Sequence, residues 1–226
     1  DVYKRQRTGL DTDFMPVRVP ASALNPELVL VASNTGHQLG ITARSARNGV
    51  PLWHQSLAVS CQGPPVVIGP NAYVSLGDRD GTILEITLAT GEIVGKITIG
   101  RPLGPNLAAR PGTGLLYIPA ESRAVYVFEV DRQDPDGKRL EPVLLGVMNT
   151  GHPSGSLRGM PVFSNPDPRE PGPRFLVLGQ ADGLETMKLR AFPLPAAADG
   201  KPDGSAPVAE LTLPGWASFP PYCDGE

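Results

Sequence analysis

Pro65-Val66-Val67-Ile68-Gly69-Pro70-Asn71-Ala72-Tyr73-Val74-Ser75-Leu76-Gly77-Asp78-Arg79-Asp80-Gly81-Thr82-Ile83-Leu84-Glu85-Ile86-Thr87-Leu88-Ala89-Thr90-Gly91-Glu92-Ile93-Val94-Gly95-Lys96-Ile97-Thr98-Ile99 decides the fold. Four β-branched or Leu-rich runs are separated by turn residues: Pro65–Gly69, Ala72–Gly77, Thr82–Leu88 and Glu92–Ile99. Pro70-Asn71, Asp78-Arg79-Asp80-Gly81 and Ala89-Thr90-Gly91 are the breaks. Short apolar runs joined by such turns predict four antiparallel strands in a meander. Within Thr82–Leu88, Ile83 and Glu85 point to one face of the sheet and Leu84 and Ile86 to the other, because successive side chains alternate.

The same unit recurs along the chain. Its most apolar strands are Leu28–Ser33, Ala72–Gly77, Leu115–Ala120 and Phe175–Gln180, whose starts are 44, 43 and 60 residues apart. A period near 40–50 residues with several strands per period predicts propeller blades. A partial first blade, about 24–60, holds Leu28–Ser33, His37–Ala43 and Val50–Ser56. The quoted blade spans about 64–100. A third, about 105–149, holds Leu115–Ala120, Ala124–Val130 and Leu140–Val147, with a turn expanded into Arg132–Lys138. A fourth, about 158–214, holds Met160–Ser164, Phe175–Gln180, Leu184–Phe192 and Val208–Leu213. Two loop insertions, Asn165–Pro173 and Pro195–Pro207, lengthen it. Residues 216–226 are expected to open a further blade. Windows with apolar residues at helical spacing and free of Gly or Pro are absent, so the predicted class is all-β, a partial propeller of about four blades.

Composition agrees. The chain has 226 residues, 40% hydrophobic and 19% charged, with 26 Gly and 26 Pro that punctuate apolar runs instead of forming tracts. Net charge is −3, and the densest basic run is Lys4-Arg5-Gln6-Arg7, so nucleic acid is not an expected partner. Apolar runs such as Leu28–Ala32 fall far short of the roughly 20 residues needed for a membrane-spanning helix.

Both ends suggest a fragment. Asp1-Val2-Tyr3-Lys4-Arg5-Gln6 is a literal translation of GATGTGTATAAGAGACAG, which resembles a transposon end used in sequencing libraries. Residues 1–6 are therefore expected to be adapter-derived and are set aside from fold reasoning. Cys223-Asp224-Gly225-Glu226 ends on a turn signal that anticipates another strand. A closed ring is expected to hold about seven or eight blades, four of them here.

The turns between third and fourth strands carry a finer pattern. Ala43, Ser45, Asn48, Gly49 and Trp53 fall at the spacings Ala-x-Asp-x-x-Thr-Gly-Lys-x-x-Trp, with Ser for Asp, Asn for Thr and Val50 for Lys. In the second blade Thr90-Gly91-Glu92 keeps the register, but Gly95 stands where Trp is expected. The later blades keep only Gly137-Lys138 and Gly200-Lys201. This motif resembles the quinoprotein (PQQ-like) propeller repeat, and the architecture is similar to WD40 and YVTN propellers. The resemblance covers residues 24–215. Gly accepts the positive φ of the tight turn, and the following Trp packs between blades.

The resemblance implies a cofactor site only where its residues are present. Enzymes of the family hold PQQ at the propeller axis with calcium and often a Cys-Cys disulfide. Here Cys61 is followed by Gln62, and Cys223 stands alone. No catalytic, cofactor or metal residues are assigned. Trp53 is expected to pack between blades, not to stack on a cofactor. Other candidate chemistry is thin. His37 and His54 flank one hairpin without a supporting carboxylate pair, and His152 lies apart. Cys61 and Cys223 are expected to be unpaired thiols. Asp78-Arg79-Asp80-Gly81 lacks the distal Glu of a calcium loop and is expected to be a β-turn. Ser154-Gly155-Ser156 is not a nucleophile elbow, and Thr150–Gly155 has no helix behind it to cradle phosphate. Trp216, Phe219 and Tyr222, with Pro220 and Pro221, form either a buried blade junction or an exposed partner surface.

The expected function is a non-catalytic scaffold that presents loops to protein or ligand partners. It resembles the propellers of bacterial outer-membrane assembly lipoproteins, which implies a periplasmic or membrane-attached setting. The alternatives are a remnant of a PQQ-dependent dehydrogenase and a sensor domain joined to a kinase or membrane anchor.

Overall fold

The computed structural model describes residues 14–23, 25–34, 39–121, 123–164, 174–183, 185–195 and 206–215. Among the described residues, sixteen strands form four sheets of four antiparallel strands, each a simple meander. The first holds β1 (Val17–Val19), β2 (Leu28–Ser33), β3 (Gly40–Ser45) and β4 (Pro51–Ser56). The second holds β5 (Val66–Ile68), β6 (Asn71–Ser75), β7 (Thr82–Thr87) and β8 (Ile93–Thr98). The third holds β9 (Ala108–Ala109), β10 (Leu115–Ala120), β11 (Ala124–Glu129) and β12 (Val143–Asn149). The fourth holds β13 (Leu157–Ser164), β14 (Phe175–Ala181), β15 (Thr186–Pro193) and β16 (Ala209–Pro214). No helix occurs among the described residues, and so none long and apolar enough to cross a membrane.

The sheets stack face to face, and strand alternation supplies both faces. On β10, Leu116, Ile118 and Ala120 pack toward the second sheet, while Leu115 and Tyr117 pack toward the fourth. On β6, Ala72 and Val74 face the first sheet and Tyr73 faces the third. Three cores result, one in each seam between neighbouring sheets. Burying each Leu or Ile side chain contributes about 1.5–3 kcal/mol, so the stacking of sheets, not any single sheet, holds the fold together. This is the all-β architecture of a partial propeller, with blades following one another in sequence order.

The structure corrects several boundaries. The first sheet has four strands, because Val17–Val19 pairs with β2 through Val17↔Leu30 and Val19↔Leu28. Three residues between Pro16 and Pro20 are too short to stand out as a strand. The third sheet gains Ala108–Ala109 as its innermost strand, and its outer strand starts at Val143 instead of Leu140. Pro142 ends the preceding loop there, since it lacks the N–H a ladder needs. The fourth sheet starts at Leu157, three residues before Met160, and slips in register between Arg158 and Val162. Residues 1–6 and 216–226 lie outside the described residues.

A shared irregularity aligns the blades. The ladder from third to fourth strand slips between Ala43 and Arg44, between Glu85 and Ile86, and between Val127 and Phe128. Each slip leaves one apolar residue of the outer strand without an opposite partner: Leu52, Val94 and Leu145. The next residues, Trp53, Gly95 and Gly146, are therefore equivalent, each one step past a β-bulge. In a four-strand meander the first and third connections lie at one end and the second at the other. The strand ends that bound the lengthened connections, 130–142 between β11 and β12, 165–174 and 194–208, therefore lie on the same side. Arg174 N–H donates to Ser164 O at 2.9 Å and Leu194 N–H to Arg174 O at 2.7 Å, tying two of those connections together.

Candidate functional site

The seam between the second and third sheets holds the most concentrated polar chemistry in the described structure. β7 carries Glu85 in the run Ile83-Leu84-Glu85-Ile86, and its position in the alternation turns it to the same face as Ile83. Glu85 is 1% exposed. Directly across the ladder stands Tyr73, and next to it on β6 is Asn71. Asn71 Nδ2 donates to Glu85 Oε1 at 2.6 Å, and the Tyr73 hydroxyl donates to the same oxygen at 3.0 Å. The other oxygen, Oε2, accepts from Arg139 Nη2, which enters from the expanded turn of the third blade. A carboxylate this buried needs such company, because an unpaired charge in an apolar seam is costly. Burial pushes the Tyr73 hydroxyl up to about 12, with the Arg139 charge opposing the shift, so Tyr73 is a hydrogen-bond donor at neutral pH and not a proton shuttle.

Gly95 makes room for this arrangement. A Cβ there would sit 2.7 Å from Glu85 Oε2 and 3.3 Å from Arg139 Nη2. In the equivalent place one seam earlier, Trp53 reaches across to the second blade. Its indole N–H donates to Leu88 O at 2.8 Å, and its ring lies against Gly91, where a Cβ would be 2.6 Å from the ring. Gly91 has φ 79° and donates its N–H to Thr87 O at 2.9 Å, closing the turn. Two consecutive seams thus carry different clasps: an indole on a turn, then a guanidinium on a buried carboxylate.

The expanded turn that delivers Arg139 is built by Asp134. Its Oδ1 accepts the N–H groups of Asp136 at 3.0 Å and Lys138 at 2.7 Å, and Gly137 takes φ 79°. Beside it, at the end where the lengthened connections lie, an open cleft of about 370 Å³ runs between the blades. Its walls include Ile68, Gly69, Arg110, Gly112, Gly114 and Asp131. The Asp131 carboxylate sits against Gly69, which has φ 56° and would carry a Cβ 3.2 Å from Oδ2. Asp131 forms no hydrogen bond or ion pair among the described residues. Arg110, 5% exposed, donates from Nη2 to Pro195 O at 3.1 Å. No cluster of three or more His, Cys, Asp or Glu able to hold a metal stands among the described residues.

The residues singled out in the sequence sit as follows. Ala43 is fully buried in the first seam. Asn48 is exposed and its Oδ1 accepts the Val50 N–H at 3.2 Å, while Gly49 has φ 71°. Thr90 Oγ1 donates to Glu92 Oε2 at 3.1 Å on the surface. Trp53 and Gly91 are brought together across the first seam, while Thr90 stays on the surface beside Gly91; Ala43, Asn48 and Gly49 serve their own sheet. Trp216, Phe219 and Tyr222, the possible interaction surface, lie outside the described residues, as do His37, Cys223, Gly200 and Lys201. His54 bonds Thr42 Oγ1 through Nδ1 at 2.9 Å. His152 is buried between Thr150 Oγ1 at 2.6 Å and Ala120 O at 3.1 Å. Cys61 is a free thiol, which burial pushes up to about 11. Asp78 Oδ1 accepts the Thr82 N–H at 2.9 Å, making the Asp78–Gly81 turn. The Glu85–Arg139 pair was not singled out from sequence. Its one signal was a charged residue inside an apolar strand; its partner, 54 positions away, belonged to a loop.

Searches against protein-family models and against curated proteins return no match. Among solved structures the chain resembles Kuenenia stuttgartiensis hydrazine synthase, a β-propeller-containing protein, with a TM-score of 0.55 at 14% identity. The alignment covers 83% of this chain and 46% of that one, so the chain spans less than half of that structure's length. At this identity the likeness concerns fold alone: the chain has a β-propeller-like fold, built from four consecutive four-stranded blades.

Proposed function

We propose that this chain is a non-catalytic propeller scaffold that presents the loop-bearing end of its blades to a protein partner. The observation that carries this reading is that the described strands bounding each lengthened connection end on the same side of the molecule, the side of the Asp131 cleft. Loops on a rigid scaffold are where binding is commonly placed. The turn at Arg132–Lys138 is fixed by Asp134 and anchored by Arg139, so it is a preorganised surface, and preorganisation lowers the ordering cost of binding. The test is affinity capture with the intact chain, followed by the same capture after Gln133–Lys138 is replaced by a short Asn-Gly turn. A partner held by the first and lost by the second, at equal folding, supports the reading. Equal recovery by both refutes it.

We infer further that the blades are of the quinoprotein-like kind. The support is the placement of Trp53 against the Thr90-Gly91 turn, the contact that motif calls for. The inference extends to the repeat and not to the cofactor. Titration with PQQ and calcium is expected to leave Trp fluorescence and the PQQ absorption band unchanged. Saturable binding would favour the dehydrogenase-remnant alternative instead.

A further inference from the structure

The exposed apolar side chains of this molecule are not scattered. Apart from Met15, each large one among the described residues lies on, or directly before, an outer strand: Leu52 on β4, Ile93 and Val94 on β8, Val143, Leu144 and Val147 on β12, Leu211 on β16. The rim of the blades is thus a series of apolar edge strands. An open edge offers unpaired backbone N–H and C=O groups to any other strand, and folded proteins usually guard it with Pro or charge. Three edges are guarded. β4 begins with Pro51, β8 contains Lys96, and β16 contains Glu210 and ends in Pro214. β12, Val-Leu-Leu-Gly-Val-Met-Asn, has neither a charge nor a proline. It is also the longest of the four. Beyond its ladder with β11, no hydrogen bond to the backbone of Val143–Met148 is formed among the described residues. Val143, Leu144 and Val147 are 38%, 46% and 41% exposed.

We propose that β12 is a self-association edge, on which the occupant is β12 of a second copy of this chain, paired antiparallel about a two-fold axis. The argument for a second copy is self-complementarity. An isologous contact brings each residue type against its own strand, so a charged edge meets like charge. β8 paired with itself would gather two Lys96 side chains, and β16 two Glu210. β4 carries no charge but begins with Pro51, so β12 is the edge that meets itself with neither like charge nor a proline. Leu144 and Val147 lie opposite Phe128 and Tyr126, which pack toward the second sheet. A two-fold axis normal to the sheet keeps both copies' Leu144 and Val147 on that one face. The product is a continuous eight-stranded sheet with a shared apolar patch.

The test is sedimentation velocity of the 226-residue chain across a concentration series, with Val147→Lys and, as control, Leu52→Lys on a guarded edge. The wild type and L52K are expected to dimerise alike, and V147K to weaken the dimer by about tenfold or more, since each charge enters the contact twice. Hydrogen exchange on the wild type gives an independent reading if V147K does not fold: protection of the Val143–Asn149 amides rises with concentration. The proposal is overturned by a wild type that stays monomeric at the highest concentration. V147K associating like the wild type, dimerisation lost in L52K instead, or β12 exchange that ignores concentration would each overturn it as well.

Discussion

Removing Arg139 is the sharpest probe of what binds the second blade to the third. In Arg139→Met the aliphatic stem stays and the guanidinium goes. Glu85, 1% exposed in the intact chain, then keeps only the Asn71 amide and the Tyr73 hydroxyl as bonded partners. Breaking a buried pair from one side costs about 3–5 kcal/mol. Two features reduce that here. Arg139 is 34% exposed, so its loss admits water to the carboxylate, and one Glu85 oxygen keeps both its donors. The expected loss is about 2–3 kcal/mol, a fall in Tm of roughly 5–10 °C for a chain of this size. Glu85→Gln in the same background removes the stranded charge while keeping an acceptor for Asn71 and Tyr73. The double variant is expected to recover to within about 1 kcal/mol of wild type. Urea unfolding followed by Trp fluorescence measures all three, with Arg132→Met as control. Arg132 pairs with Glu129 at 3.2 Å on the surface and is expected to cost less than about 0.5 kcal/mol. If Arg139→Met matches Arg132→Met, or if adding Glu85→Gln restores nothing, the pair is not the clasp described.

Four further outcomes follow from the geometry. Trp53→Phe strands Leu88 O by removing the indole N–H and is expected to cost about 1 kcal/mol; Gly91→Ala meets both positive φ and the Trp53 ring and is expected to cost about 1–2 kcal/mol, each read from thermal unfolding. Burial holds the His152 imidazole below its ordinary range, against Ala120 O and the Glu121 charge and with help from Arg190. The unfolded state therefore binds the proton more readily. Stability from His152 is complete above about pH 6.5 and falls as pH drops through that value toward the lower folded one. An NMR titration showing His152 at or above the unfolded value refutes this. Cys61, buried and with its thiol pushed up to about 11, is expected to resist a thiol reagent at pH 8 until the chain is unfolded, which timed labelling with and without urea checks.

What was legible in the sequence follows physical range. The quoted blade was readable because its turns are local chemistry: Asp78–Gly81 and Thr90-Gly91 close through bonds spanning a few residues. The strands missed, Val17–Val19 and Ala108–Ala109, are innermost and short, and tertiary pairing defines them more than composition does. The same limit hid the polar seam. Glu85 announced itself as a charge in an apolar strand, but nothing local names Arg139, because the bond forms only when two blades stack. His152 and Cys61, ordinary in sequence, are likewise explained only by the elements that cover them.

The weakening of the repeat motif along the chain has a structural counterpart. A repeat needs its motif only where the motif performs a contact, and the contact here is between neighbours. Trp53 makes it in the first seam by lying on the turn of the next blade. In the second seam the equivalent position is Gly95, and the reach runs backward: Arg139 of the later blade enters the earlier one. Gly95 is thus not a lost tryptophan with a hole beside it, since a Cβ there would already crowd Glu85 Oε2. The turn that supplies Arg139 is also the one that departs from the tight Thr-Gly form, and Asp134 rigidifies it. The glycine at position 95, the buried acid and the expanded loop are then one coupled arrangement. In this seam the clasp between blades also holds a charged loop in place.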